Sequence, residues 1–458
     1  MEENQPNEFK SFIICIVALV IVGVASLAPW SRWTGGVIKD FNLIGDITVG
    51  GNAADSTAVS QEEIDPELLA AQQESRLEQL ALADAGDTII QPAKQPRVNG
   101  MTVIEDYTSG NHGLSRLKAA LAAKRVARVA FVGDSYLEGD IFSEYFRAKM
   151  QETYGGGGVG FVYMQTEVGS NFRQTVKQEG KGWKIFTAKE HGDQAYLGLS
   201  EQYAIPEGPA TSTYEGSEKM PCVAKWNTSK FMFISPTDAT ISMKTGTNWR
   251  DYHVKGSPNV QCLEIKGSTA DFAVKTANTR LVSLGVWIND STGVAVDCMS
   301  SRGISGMSLS KLSPELCAQS RKYIDYDLII LEFGINAMAA SQTDYHIYSQ
   351  RISEVVVHLR KCYPRADILL LSIGDRGERR GSSVQSMAAC APMVTAQRDA
   401  ARRAHCLFWD TRDAMGGNNA IVNWSSNGLA NKDYVHLTHK GGEKLGTALF
   451  NAIQQILK

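Results

Sequence analysis

Apolar positions along this chain follow two different rhythms. In the first, a short run of continuous apolar residues is followed by apolar residues at helical spacing. Residues 125–132, Arg-Val-Ala-Arg-Val-Ala-Phe-Val, form such a run, and Ile141, Phe142, Tyr145, Phe146 and Met150 then recur on one helical face. Further runs fall at 328–331, 368–373 and 406–409. Between them, helical spacing places Ile352, Val355, Val356 and Leu359 on one face, and a helix is expected around 386–404. A last helix is expected from about 441 to 457. Strands that are apolar throughout and separated by helices predict a parallel sheet covered on both faces.

The second rhythm occupies about residues 173–296. Short β-like runs at 231–234, 239–243, 262–265, 271–274 and 281–284 are separated by Gly, Pro, Asn and Asp. Strands at such spacing predict a small β-sandwich. The expected architecture is therefore α/β, a three-layer α/β/α unit built from 101–172 and 297–458, with a β-sandwich inserted at 173–296.

The N-terminal region differs again. Residues 11–31 carry no charge and are almost all apolar. That length suffices for a membrane-spanning helix. The reading is a cytoplasmic tail at 1–10, a transmembrane anchor at 11–30 and an acidic linker at 31–100. A cleaved signal peptide is the alternative, because Ser26 and Ala28 are small enough to flank a cleavage site. Lys10 on one side, against Arg32 and Lys39 on the other, orients the segment only weakly. A single anchor ahead of a large domain places that domain outside the cytoplasm. Residues 41–90 hold ten acidic residues and one basic residue, Arg76, a composition that buries little apolar surface.

The composition excludes some classes. A net charge of −3 gives no footprint for a polyanion, so nucleic acid is not an expected partner. None of the eight cysteines forms a C-x-x-C pair, so zinc-finger and thioredoxin-like spacings are absent. Most are read as buried small apolar residues. A disulfide, Cys222 with Cys262 or Cys390 with Cys406, is left open. With no H-E-x-x-H or comparable cluster, neither metal nor organic cofactor is expected.

The candidate chemistry begins at Gly133-Asp134-Ser135. A serine hydroxyl needs a base to take its proton, and it is well placed at a sharp turn between strand and helix. Ser135 sits at such a turn. Active sites of open parallel sheets gather at the carboxyl ends of strands, where Gly334-Ile335-Asn336 and Ser372-Ile373-Gly374-Asp375 also fall. Asp433 precedes His436 by three residues and can fix the imidazole tautomer. His439 is a rival base without that local carboxylate. The backbone N–H groups of Ser135 and Gly306 and the Asn336 side chain are candidate donors to an oxyanion.

In this order the blocks around Ser135, Gly306, Asn336 and His436 resemble the SGNH subgroup of the GDSL esterase family. The resemblance implies a Ser135–His436–Asp433 triad and an oxyanion hole of Ser135, Gly306 and Asn336. One departure is Ala337, where many members carry Asp after the Asn. The Gly-rich stretch at 154–162, the β-insert, residues 414–417 and Trp424 ahead of Asp433 are similar to the peptidoglycan O-acetylesterase branch. That likeness implies removal of acetyl esters from an envelope glycan such as peptidoglycan, with the insert resembling a carbohydrate-binding module and the anchored enzyme facing the periplasm from a bacterial inner membrane. Four tryptophans in the insert, Trp183, Trp226, Trp249 and Trp287, are candidate sugar contacts set against the alternative of core packing. A glycan O-acetyltransferase using the same triad, or a non-catalytic wall-binding protein, remain as alternative readings.

Overall fold

The structure, a computed structural model, describes residues 100–458 apart from 111, 124, 167–172 and 191, together with the strand Arg97–Val98. The tail and anchor read from the sequence, and the acidic linker up to residue 96, lie outside the described residues. Among the described residues, no helix is long and apolar enough to cross a membrane.

The chain enters through a hairpin of β1 (Arg97–Val98) and β2 (Met101–Thr102) and an edge strand, β3 (Glu105–Asp106). Helix α1 (Ser115–Ala122) leads to β4 (Ala127–Gly133), which is buried at every position, and then to α2 (Ser143–Tyr154). Nine antiparallel strands follow. They are β5 (Gly160–Val162), β6 (Val176–Thr187), β7 (Gln202–Gly216), β8 (Trp226–Ser235), β9 (Ala239–Lys244), β10 (Arg250–Val254), β11 (Ser257–Thr269), β12 (Asp271–Thr276) and β13 (Val282–Asn289). The chain then resumes strand–helix alternation with β14 (Val294–Ser300), α3 (Pro314–Ser320), β15 (Leu328–Glu332), α4 (His346–Cys362) and β16 (Asp367–Leu371). A hairpin, β17 (Gly377–Arg380) and β18 (Ser383–Ser386), precedes α5 (Cys390–Arg403) and β19 (Leu407–Trp409). Helices α6 (Thr411–Met415), α7 (Ala420–Ser426) and α8 (His439–Leu457) complete the chain.

The α/β sheet has the order β14-β4-β15-β16-β19-β3. Its first five strands are parallel and β3 closes one edge antiparallel. The chain leaves β4 toward β14 at one edge and later returns to β15 on the other side of β4. Such a reversal opens a crevice at the carboxyl ends of the strands, where ligands gather. Right-handed crossovers put the helices of the two directions on opposite faces, and α8 packs on α2 while α4 packs on α5.

The β-region differs in extent from the sequence reading. It starts at Gly160 rather than 173, and the expected boundary at 296/297 cuts through Val294–Ser300, which is one strand of the parallel sheet. It forms one nine-stranded sheet in which β7 pairs with β6, β12 and β13 and so belongs to both halves. The sheet closes over a core that includes Trp183, Tyr214, Trp226, Phe231, Phe233, Phe272 and Val286. Met232, Ile234, Leu284 and Trp287 instead join the main core of the α/β unit.

The reason β14 escaped the sequence reading is Asp297, a carboxylate in mid-strand. It is fully buried and accepts from Arg128 Nη1 at 2.9 Å, Trp287 Nε1 at 2.9 Å, Tyr326 OH at 2.9 Å and the Phe161 N–H at 3.1 Å. One side chain thus ties β4, β5, β13 and β14 together. Gly160 is required beside it: φ is +74°, and a Cβ there would meet Asp297 Oδ1 at 2.1 Å. The Gly-rich run is therefore a close-packed segment rather than a flexible loop.

All seven described cysteines are free thiols, and five are buried. Neither of the two disulfides left open by the sequence is formed. Burial pushes the Cys298 and Cys406 thiols up to about 12, so they behave as small apolar groups.

Candidate active site

β4 delivers Asp134-Ser135 to the crevice between β4 and β15. After Gly133 the chain turns at once, with Leu137 N–H bonded to Asp134 O at 3.2 Å and Glu138 N–H to Ser135 O at 3.1 Å. Asp134 Oδ1 accepts the Tyr136 N–H at 2.9 Å and stabilises that turn. Ser135 is only 6% exposed, and its Oγ lies 3.0 Å from His436 Nε2. Those residues are 301 positions apart in the chain.

The His436 ring is held from behind. Its Nδ1 lies 2.7 Å from Asp433 Oδ2, while Asp433 Oδ1 accepts the N–H groups of Val435 at 2.9 Å and His436 at 3.1 Å. Burial alone would raise the Asp433 carboxyl. The His436 ring and these backbone donors outweigh burial and hold it below its ordinary value. Tyr434, between them, has φ +56°, and its carbonyl accepts the Gly377 N–H at 2.8 Å. The β17–β18 hairpin thus anchors the turn that carries Asp433 and His436.

His439 is used elsewhere. Its Nδ1 lies 2.7 Å from Glu144 Oε1, at the start of α2. The Glu144 bond raises the His439 pKa, while burial pushes the Glu144 carboxyl up against the pull of His439. The pair joins α8 to α2 and does not reach Ser135.

Gly306 caps a 3₁₀ turn, Met307–Lys311, with φ +87°. A Cβ there would strike the Phe333 ring at 2.8 Å. The buried Gly306 N–H donates to no acceptor among the described residues. Asn336 follows β15 and is fully buried. Its Nδ2 donates to the Ile304 carbonyl at 3.0 Å and to Asp134 Oδ2 at 3.3 Å, and its Oδ1 has no partner among the described residues. Asn336 therefore braces the Gly303–Gly306 loop against Asp134, and its second bond is long.

A cleft of about 490 Å³ is lined from both the β-layer and the α/β unit, by Tyr163, Gln178, Lys189, Ser301, Arg302 and Ile304 among others. Hydroxyl and amide groups predominate among its uncharged polar residues. Three of the four candidate tryptophans are core residues: Trp183, Trp226 and Trp287 are each at most 4% exposed. Trp249 is 37% exposed, with Lys275 Nζ 4.3 Å from its ring centroid. Among the described residues, no group of three or more His, Cys, Asp or Glu side chains could hold a metal ion.

Sequence reasoning missed the acceptors of Asn336 and the contacts of the β-layer on the Gly303–Gly306 loop. No local pattern announces either.

A strand-end serine hydrogen-bonded to a His–Asp pair is an arrangement that can carry acyl transfer through serine. Residues 269–444 match the GDSL-like lipase/acylhydrolase family, a span that takes in Gly306, Asn336, Asp433 and His436 and leaves Ser135 to the geometry above. Over that span the chain is similar to GDSL-type acylhydrolases, and the match supports a carboxylic ester hydrolase. In fold it is similar to a peptidoglycan O-acetylesterase, with 22% identity, a TM-score of 0.64 and coverage of 77% of this chain and 99% of that one. A Bacillus subtilis protein aligns at 11% identity over 66% of this chain and 98% of its own, with a TM-score of 0.30. A family two carbohydrate esterase from Cellvibrio japonicus aligns at 11% over 62% and 98%, with a TM-score of 0.26. No curated protein sequence matches the chain.

Proposed function

We propose that the protein removes O-acetyl groups from a cell-envelope glycan, peptidoglycan first, through an acetyl-Ser135 intermediate. The observation that carries this reading is the continuous hydrogen-bonded chain Ser135–His436–Asp433. Ser135 Oγ attacks the acetyl carbonyl carbon as His436 Nε2 takes its proton. The carbonyl electron pair moves onto oxygen, which the Ser135 and Gly306 N–H groups receive. Asn336 joins them by exchanging its long bond to Asp134 for the oxyanion. Collapse breaks the bond to the glycan oxygen, which leaves with the proton from His436. His436 then deprotonates a water, whose attack on acetyl-Ser135 releases acetate and frees Ser135. Asp433 keeps the imidazole in the required tautomer and stabilises the imidazolium. Each oxyanion donor contributes about 10²–10³ in rate.

The glycan part of the reading rests on the resemblance stated above, and the cleft lined by Tyr163, Gln178 and Ser301 is its candidate binding surface. The test is acetate release from O-acetylated peptidoglycan and from acetylated xylan, with and without added glycan acceptor. Release from peptidoglycan that added acceptor does not divert supports an esterase. Transfer of acetyl to the acceptor in place of release supports the transferase reading. Turnover confined to xylan overturns the peptidoglycan assignment.

An anchor at 11–30 with the enzyme outside the cytoplasm is part of the same proposal. It is tested by protease accessibility in intact spheroplasts. Full protection there would contradict it.

A further inference from the structure

The β-layer touches the loop that carries Gly306 at two places. The Lys189 ammonium lies where a side chain on Gly303 would project, 2.9 Å from that ideal Cβ position. Farther along, Ser308 Oγ donates to Glu201 Oε1. Ser308 sits in the 3₁₀ turn that Gly306 caps, and Leu309 N–H bonds back to Gly306 O at 3.3 Å. Whatever holds Ser308 therefore holds Gly306.

Glu201 is built for that contact. It is 1% exposed and has φ +54°, a left-handed conformation that a non-glycine residue keeps only where its surroundings fix it. Its N–H bonds to Gly198 O at 2.9 Å, and its carbonyl accepts the Ala188 N–H at 3.0 Å. Both ends of its peptide are thus pinned within the 188–201 segment, which leaves the side chain aimed at Ser308. Packing does not do this work alone. A cavity of about 250 Å³, lined by Ala188, Leu197, Glu201, Ser308, Lys311 and Leu312 among others, lies beside the contact. From the other side, Asn336 holds Ile304 O. The loop is thus held from both sides by side-chain hydrogen bonds, from Asn336 of the α/β unit and from Glu201 of the β-layer.

We propose that Glu201 is a positioning residue for acyl transfer: by holding Ser308 it sets the Gly306 N–H in line with the oxyanion. The β-layer is then part of the catalytic device, and not only a substrate-binding attachment. This rests on the acyl-transfer reading above, with the Gly306 N–H as oxyanion donor.

Glu201→Ala, Glu201→Gln, Ser308→Ala and the double alanine variant are compared with wild type in the full chain on an aryl acetate. Glu201→Ala and Ser308→Ala lower kcat by about ten- to a hundredfold, with KM within about twofold. The double variant is no slower than the slower single one, because both lose the same bond. Glu201→Gln, which keeps an accepting oxygen, recovers most of the rate. An arylboronic acid, which forms a tetrahedral adduct on serine, loses affinity in parallel with kcat. Wild-type kcat in both alanine variants, a loss confined to KM, or unchanged boronic acid affinity would each overturn the proposal. Should Glu201→Ala not fold, Ser308→Ala and Glu201→Gln carry the test. Absence of Ser135-dependent turnover in the wild type is a different result, and it would sink the serine mechanism itself.

Discussion

At the scale of single residues, the site gives the two neighbouring histidines different partners. His436 faces Ser135, and His439 faces Glu144. Accordingly, His436→Gln should abolish ester hydrolysis, while His439→Gln should retain kcat within about threefold and lower thermal stability instead. Steady-state kinetics and a melting curve on both variants check this. Asp433→Asn should cost about 10²–10⁴ in kcat, because the amide favours the wrong imidazole tautomer. Ser135, His436 and Asp433 were legible because their motifs are local and residue-specific. The bracing bonds of Asn336 were not, since Asp134 lies 202 positions away and the Ile304 acceptor is a backbone carbonyl.

Individual elements show where pattern reading succeeds and where it fails. β4, β15 and β16 are apolar at nearly every position, so continuous hydrophobicity announced them. β14 carries the buried Asp297, and β5 is three residues long and begins at a glycine, so neither announced itself. β5 was therefore left outside the β-region, and the boundary at 296/297 was drawn through β14. The 3₁₀ turn after Gly306 carries its own prediction. Gly306→Ala must relieve a 2.8 Å contact on Phe333 and a left-handed backbone at once. It should lower kcat by at least about tenfold with little change in KM. Unchanged kcat would remove Gly306 from the oxyanion hole.

Across the whole molecule, two buried carboxylates hold the layers in register. Asp297 joins β13 and β5 to the parallel sheet, as described above. Asp140 pairs with Arg147 and Arg173 and accepts from Thr175 Oγ1 at 2.9 Å, linking α2 to the start of the β-layer. Asp297→Ala leaves Arg128 buried with only Asn289 as a side-chain partner among the described residues. It should cost about 3–5 kcal/mol in unfolding free energy, measured by denaturant titration. Burial would raise the Asp140 carboxyl, but Arg147 and Arg173 outweigh it and hold its pKa below the ordinary value. A depressed pKa means that its stabilisation is present above the unfolded value of about 3.9 and is lost as pH falls through the folded one. The acid limb of the stability curve should therefore flatten in Asp140→Asn, which removes that titration, and melting temperatures from about pH 5 down to about pH 2 would show it.

The α/β class and the meeting of Ser135, His436 and Asp433 were readable from the sequence because both follow simple local rules. How the β-layer reaches the Gly306 loop was not, because it depends on one carboxylate folded over from a distant strand end. The central claim remains acyl transfer through Ser135. Its most direct measurement is acetate release from O-acetylated peptidoglycan by the wild type and by Ser135→Ala, with both shown to be folded. The wild type should release acetate at a rate at least about 10³-fold above the variant. Equal release by the two proteins would contradict the account.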